Sequence, residues 1–296
     1  MKTLCIKSKI RPLTILFGTI LTLASCGEVY DMNGYDWEPD TPPSDSVFNR
    51  EIQILNLGDN MPKGHLPLDK EDPLFFSLEK FSSVAIAYRS SERWDLSFSG
   101  TARSAIGGNN GKRPGFGHGT SSIGAIAVLE AFYEDITEVP EEHLFQQPGY
   151  SGLDDQGEFG TPMGQAVYTF FGNFVRESLG QGAPSPEYWH MVYPLNKRLL
   201  ESFPKATSMY NDIPLRPRTL VIKTASGNYA KIEIESYYKN SLDPLKMIRH
   251  RDTPAGCISF RYIVIKAADK RFGFVERGKK LTVNMTTGRT SVSPTN

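Results

Sequence analysis

Residues Tyr229 to Tyr238 alternate in character, with Ala230, Ile232 and Ile234 on one side and Lys231, Glu233 and Glu235 on the other. A period of two describes a strand with one apolar and one polar face, and a helix cannot present it. The run follows 219–224 across Ala225-Ser226-Gly227-Asn228, a glycine-containing connection of hairpin length. Ile258, Phe260, Tyr262 and Val264 repeat the alternation. Shorter runs at 51–57, 74–79, 84–88, 94–98 and 128–133 predict further strands. The expected fold class is all-β, an antiparallel β-sandwich with one or two short helices in the connections. Helices are expected at 165–178, where Val167, Phe170, Phe171, Phe174 and Val175 recur at helical spacing, and at 194–203, where Pro194 suits a first turn. Two stretches, 99–122 and 148–162, read as long irregular loops, and ligand sites gather on such loops over a rigid scaffold.

Charge excludes one class of partner. The 33 Lys+Arg residues balance 33 Asp+Glu, so the basic excess of a nucleic-acid protein is missing. With 39% hydrophobic residues the chain can bury a core. The N-terminus is different in kind. Lys2, Lys7, Lys9 and Arg11 precede an apolar stretch, Pro12 to Ala24, too short to span a bilayer. Residues 1–25 read as a secretory signal. It ends in Leu23-Ala24-Ser25-Cys26, which resembles the bacterial lipobox and implies lipidation of Cys26. Residues 26–49 carry Glu28, Asp31, Asp36, Glu38, Asp40 and Asp45 with three prolines and no Lys or Arg, the composition of a tether. An acidic segment directly after a lipidated cysteine resembles the surface-export signal of Bacteroidetes lipoproteins. The expected location is therefore the outer membrane, lipid-anchored and facing outward. Cys5 leaves with the signal and Cys26 carries lipid, so Cys257 has no intramolecular disulfide partner. The folded domain is expected at 50–265. A basic C-terminal extension follows at 266–296, in which Phe272-Gly273-Phe274 and Leu281-Thr282-Val283 would add an edge hairpin.

Enzyme motifs fail on inspection. Gly117-His118-Gly119-Thr120-Ser121 looks like the histidine motif of subtilisin-type proteases, but the nucleophile position in Gly160-Thr161-Pro162-Met163 is Pro162, which has no hydroxyl. Glu141-Glu142-His143 lacks the second histidine of a zinc-protease helix. Gly107-Gly108-Asn109-Asn110-Gly111 lacks the Lys-Ser/Thr pair of a phosphate loop. The chain is expected not to be an enzyme. What remains are isolated soft donors in loops: His118, the pair His190-Met191, and Met209. A lone histidine is more often a surface group than a ligand, and a lone methionine more often fills a core.

Several pieces carry a family resemblance. Trp94-Asp95-Leu96-Ser97-Phe98, the Gly/Asn-rich turn at 106–111, Glu138-Val139-Pro140, and above all Arg218 to Ile232 with its Ala-Ser-Gly-Asn turn look like the HmuY haem-binding lipoproteins. Ser236-Tyr237-Tyr238 and Gly256 to Tyr262 resemble that family's closing strands. The resemblance implies an all-β lipoprotein of iron acquisition that binds haem (iron protoporphyrin IX) through axial side chains and passes it to a TonB-dependent outer-membrane receptor. By the same resemblance, one axial ligand follows Leu200-Glu201-Ser202-Phe203, where this chain has Met209 in place of a histidine. The other lies upstream, at His190 or Met191. Neighbours in an extended segment face opposite ways, so only one of the two can serve. Met191 is preferred, because methionine-using relatives tend to use two. Arg216, Arg218 and Lys197 are the candidates for pairing with the propionates. The alternative is an HmuY-fold surface module that has lost haem and binds another ligand or protein.

Replacing Cys26→Ala is expected to abolish metabolic labelling with radioactive palmitate and to release the protein from the membrane fraction. Undiminished labelling would refute the lipobox reading.

Overall fold

The computed structural model describes residues 47–59, 72–145, 150–172, 180, 186–248, 255–272 and 279–294. The expected signal, Cys26 and almost all of the tether lie outside the described residues. In chain order the strands are β1 (Glu51–Leu57), β2 (Leu74–Ser77), β3 (Ser82–Val84), β4 (Leu96–Ser99), β5 (Ala105–Gly108), β6 (Ala125–Leu129), β7 (Tyr150–Ser151), β8 (Ala166–Thr169) and β9 (Met191–Pro194). One helix, α1 (Lys197–Ser202), leads to β10 (Thr219–Lys223), β11 (Tyr229–Tyr238), β12 (Ala255–Ile265), β13 (Lys279–Asn284) and β14 (Arg289–Pro294).

Seven strands form one sheet in the order β14-β13-β1-β12-β11-β10-β6, and five form a second, β3-β2-β4-β5-β7. Strands β8 and β9 make a separate two-stranded ribbon. The two large sheets share a core in which Phe76 and Phe98 of the smaller one meet Phe260 of β12, with ring centroids 5.3 and 5.7 Å apart. The fold is all-β, as the alternation predicts.

The polar face of β11 is not a solvated one. Lys231, Glu233 and Glu235 are buried. The segment that follows β6 covers Lys231, whose Nζ donates to the carbonyls of Tyr133 and Ile136, both at 2.9 Å. Burial, with Arg261 nearby, pushes the Lys231 ammonium down to about 8. Glu233 accepts from Arg261 Nε at 2.6 Å, and Glu235 accepts from Gln53 Nε2 at 2.5 Å. The charges alternate as a half-exposed strand would require, but Lys231 is spent on carbonyls of the covering segment, and Glu233 and Glu235 on side chains of other strands.

A clasp of two carboxylates joins the sheets. Asp95, just before β4, accepts from Leu78 N–H at 2.7 Å through one oxygen and from Ala225 N–H at 2.9 Å through the other. Ala225 opens the β10–β11 turn, in which Gly227 takes φ +95°. Glu79 accepts from the side chains of Thr224, Ser226 and Asn228 at 2.7, 2.5 and 2.9 Å. The turn of one sheet is thereby fastened to the strand ends of the other.

Several expectations need correction. The helix expected at 165–178 begins as strand β8, and residues 173–178 lie outside the described residues. All four β8 residues are buried, so both faces are apolar and neither period stands out. The helix expected at 194–203 starts later, because Asn196 caps it through Leu199 N–H while Pro194 ends β9. The strand expected at 84–88 is split: β3 ends at Val84 and a 3-10 turn covers Ile86–Tyr88. Two loops conceal strands, β5 within 99–122 and β7 within 148–162. In β5, a Cβ on Gly107 would stand 2.7 Å from Ser97 Oγ, so a residue read as loop-like is there for close approach between strands. The C-terminal extension does add a hairpin, but its partners are β13 and β14, with β13 running parallel to β1 inside the main sheet.

Burial and the charge of Glu79 raise the Asp95 carboxyl to about 6 from 3.8, against the pull of its N–H donors. A carboxyl raised on folding contributes stability below its unfolded pKa and loses it as pH climbs through the folded one. Thermal unfolding between pH 4 and 6 is expected to show a loss of about 2–3 kcal/mol as pH rises. Asp95→Asn should remove that component. An unchanged pH profile in the variant would refute the assignment.

Candidate functional site

The β8–β9 ribbon presents two faces. Thr169 pairs with Met191 and Tyr168 with Val192. The next step out sets His190 against Phe170, with His190 N–H donating to the Phe170 carbonyl at 2.8 Å. His190 has φ +58°, a left-handed conformation that a non-glycine residue rarely adopts. Met191 turns into the core, 1% exposed, and Tyr238 Oη donates to its sulfur at 3.7 Å. His190 lies on the other side, half-buried. The alternation between neighbours holds, and it selects against the preferred member. The Met191 thioether is core packing, and His190 is the donor left at the surface.

Around His190 the aromatic rings are close. Tyr168 and Phe170 stand 5.5 Å apart by centroid, and Phe159 lies 5.6 and 5.2 Å from them. Phe170 meets the His190 ring at 5.5 Å. Tyr168 Oη is 2.5 Å from His190 Nδ1, which leaves Nε2 as the nitrogen facing away from that bond. Glu158 ties the neighbouring loops together. Its N–H donates to Tyr168 O at 2.9 Å, its carboxylate accepts from Phe170 N–H, and its carbonyl accepts from Tyr210 Oη at 2.9 Å. Met209 N–H donates to Gln156 O at 3.0 Å. Met209 therefore sits on the loop that borders this same turn, and its residue is 45% exposed.

Large apolar side chains are exposed here in unusual concentration. Phe159 (54%), Tyr210 (69%), Phe171, Trp189, Met209 and Ile213 all come from the loops at 156–165, 170–172, 189–190 and 208–213. Scattered exposed apolar residues are ordinary, but a cluster marks a contact surface. It is a greasy shelf that adjoins the His190 imidazole and includes the Met209 loop. Sequence reasoning missed Phe159, Tyr168 and Phe170, assigning the last to a buried helix. The signal available was Glu158-Phe159-Gly160, an aromatic flanked by polar and glycine residues within a loop.

The predicted cations divide. Arg218 is buried, with Nε 3.0 Å from Asp154 and a terminal nitrogen 3.1 Å from Glu130. It is committed to the fold, which removes it from the propionate candidates. Arg216 is half-exposed and 2.9 Å from the same Glu130. Lys197 pairs along α1 with Glu201 at 3.9 Å. His118 is exposed in the glycine-rich loop, which meets the β10–β11 turn through Ile123 and Gly227 rather than the shelf. Among the described residues no group of three or more His, Cys, Asp or Glu is placed to hold a bare metal ion. The donor set does fit a metal that brings its own planar apolar ring, which needs one or two axial donors and a hydrophobic face.

No known family model matches the chain, and no curated protein matches it at a significant level. Among solved structures, apo PinO from Porphyromonas gingivitis is similar over 73% of this chain and 98% of its own, at 11% identity and a TM-score of 0.29. A presumed HmuY-like heme binding protein from Bacteroides vulgatus ATCC 8482 is similar over 64% of this chain and 84% of its own, at 15% identity and a TM-score of 0.26. Neither likeness bears on what the site does.

Burial raises the Asp154 carboxyl despite Arg218, so this pair is sensitive to the loss of one member. Arg218→Met is expected to destabilise the protein by about 3–5 kcal/mol in chemical denaturation, with much of it restored by adding Asp154→Asn. A single variant as stable as the wild type would show that the pair does not hold the loops.

Proposed function

We propose that this protein is a lipid-anchored, non-catalytic haem-binding protein of the cell surface, which hands haem to a TonB-dependent outer-membrane transporter. The observation that carries the reading is the exposed aromatic shelf of Phe159, Phe171, Trp189 and Tyr210 around His190. A porphyrin is flat and apolar and is held by burial against such rings. His190 through Nε2, and Met209 on the neighbouring loop through its thioether, are the residues that would hold the iron. Arg216, at the rim, is the cation with reach toward a propionate. Support also comes from the sequence resemblance to the HmuY lipoproteins, whose hairpin and Trp-Asp strand this chain carries, and from the lipobox with its acidic tether. When bound, the haem supplies the iron, and the side chains supply orientation and exclusion of water.

A soft thioether favours the ferrous state, so binding is tighter under reduction. Haem titration of detergent-purified full-length protein is expected to give a saturable Soret shift, larger in affinity after dithionite. Met209→Ala should weaken reduced haem roughly tenfold, about 1.4 kcal/mol, and His190→Ala should weaken both states. Absence of a Soret shift in either state overturns the reading.

A further inference from the structure

We propose that Tyr168 is a positioning residue for His190, and that its hydroxyl lets one imidazole serve both the empty and the filled site. The inference rests on the haem reading above. A neutral imidazole carries one proton, and a bond to one ring nitrogen decides the chemistry of the other. Here Tyr168 Oη faces Nδ1 at 2.5 Å. With the phenol donating to Nδ1, the proton sits on Nε2 and that nitrogen offers no lone pair. With Nδ1–H donating to the phenol oxygen, Nε2 is a free electron-pair donor.

A hydroxyl both donates and accepts, so it satisfies either arrangement without moving a heavy atom. A carboxylate in its place would only accept, and a backbone N–H would only donate. The switch conserves protons: one leaves Nε2 for water and one is taken up at Nδ1, while the phenol hydrogen rotates off the shared axis. The same contact stops the ring from turning about its own bond, as partners of metal-ligating histidines generally do.

The surroundings hold both groups still. The Tyr168 ring is packed by Phe159 and Phe170 at 5.6 and 5.5 Å. Phe170 meets the imidazole at 67° between planes, and the His190 backbone is pinned by its bond to Phe170 O at 2.8 Å. The left-handed φ of His190 aims its side chain out of the core while Met191 points in. A costly backbone conformation at a single residue, combined with a short bond at its ring, is the arrangement of a donor that has to be oriented.

The test is Tyr168→Phe in the full-length protein, which keeps the ring and deletes the hydroxyl. In haem-free, 15N-labelled wild type, the Nδ1 resonance of His190 is expected at the position of a hydrogen-bonded nitrogen. In the variant it should move to the position of free imidazole, with circular dichroism unchanged. In haem titrations the variant should bind about tenfold more weakly, with a raised reduction potential, because Nδ1–H would have lost the oxygen that strengthens Nε2 as a donor. A wild-type Nδ1 resonance at the free position overturns the proposal without any variant. Unchanged affinity and potential in Tyr168→Phe overturn it as well. A wild type that gives no Soret shift overturns the haem reading and with it the role assigned to Nε2, while the Nδ1 resonance separately judges the Tyr168 contact.

Discussion

The attachment of the β10–β11 turn to the smaller sheet is the contact on which the rest depends. Two packed sheets can slide unless something polar fixes their offset, because burial is indifferent to direction. Asp95 and Glu79 supply that fixing from one sheet, and the turn supplies N–H, hydroxyl and amide donors from the other. The cost is a carboxyl held far from water and beside a second one. This is why the Trp94-Asp95 strand and the Ala-Ser-Gly-Asn turn read as motifs: separated by 130 positions, they are the two halves of one joint.

With that joint fixed, the β8–β9 ribbon is carried on the main sheet. Asn196 donates to the Ile234 carbonyl, Tyr238 Oη accepts from Val192 N–H, and Arg218 N–H donates to Leu195 O. Both faces of the ribbon are buried, so the loops that continue it are what this rigid base displays. Under the proposed function that rigidity would help, since an oriented donor loses less freedom on binding.

Strands β1 and β11 lie where their sequence patterns place them, and β11 is also fixed by the glycine-containing turn before it. Strand β8 was hidden because Ala166, Val167, Tyr168 and Thr169 are buried on both sides, leaving no contrast to read. Strand β5 was hidden because Gly107, which sits close against Ser97, and Gly108 look like loop glycines. At the site, sequence located the two donor-bearing segments and the rule that only one of His190 and Met191 faces out. Which one was set by a positive φ at His190, and single-residue backbone geometry leaves no trace in composition. The Arg218 partners, Asp154 and Glu130, were equally out of reach, since an ion pair across 64 or 88 residues is a product of the fold.

The parallel placement of β13 beside β1 has a topological consequence. Phe48 bridges Val264, which pairs with Ala230, so the chain enters the sheet at the end occupied by the β10–β11 turn. Strand β14 runs back antiparallel, leaving Pro294 opposite Lys279 at that same end. Met191 meets Tyr238 at the far end of the ten-residue β11, about 30 Å away by strand rise. Entry and exit of the chain thus share one pole and the aromatic shelf approaches the other. A label added behind Pro294 would therefore stand at the pole away from the shelf and leave it clear.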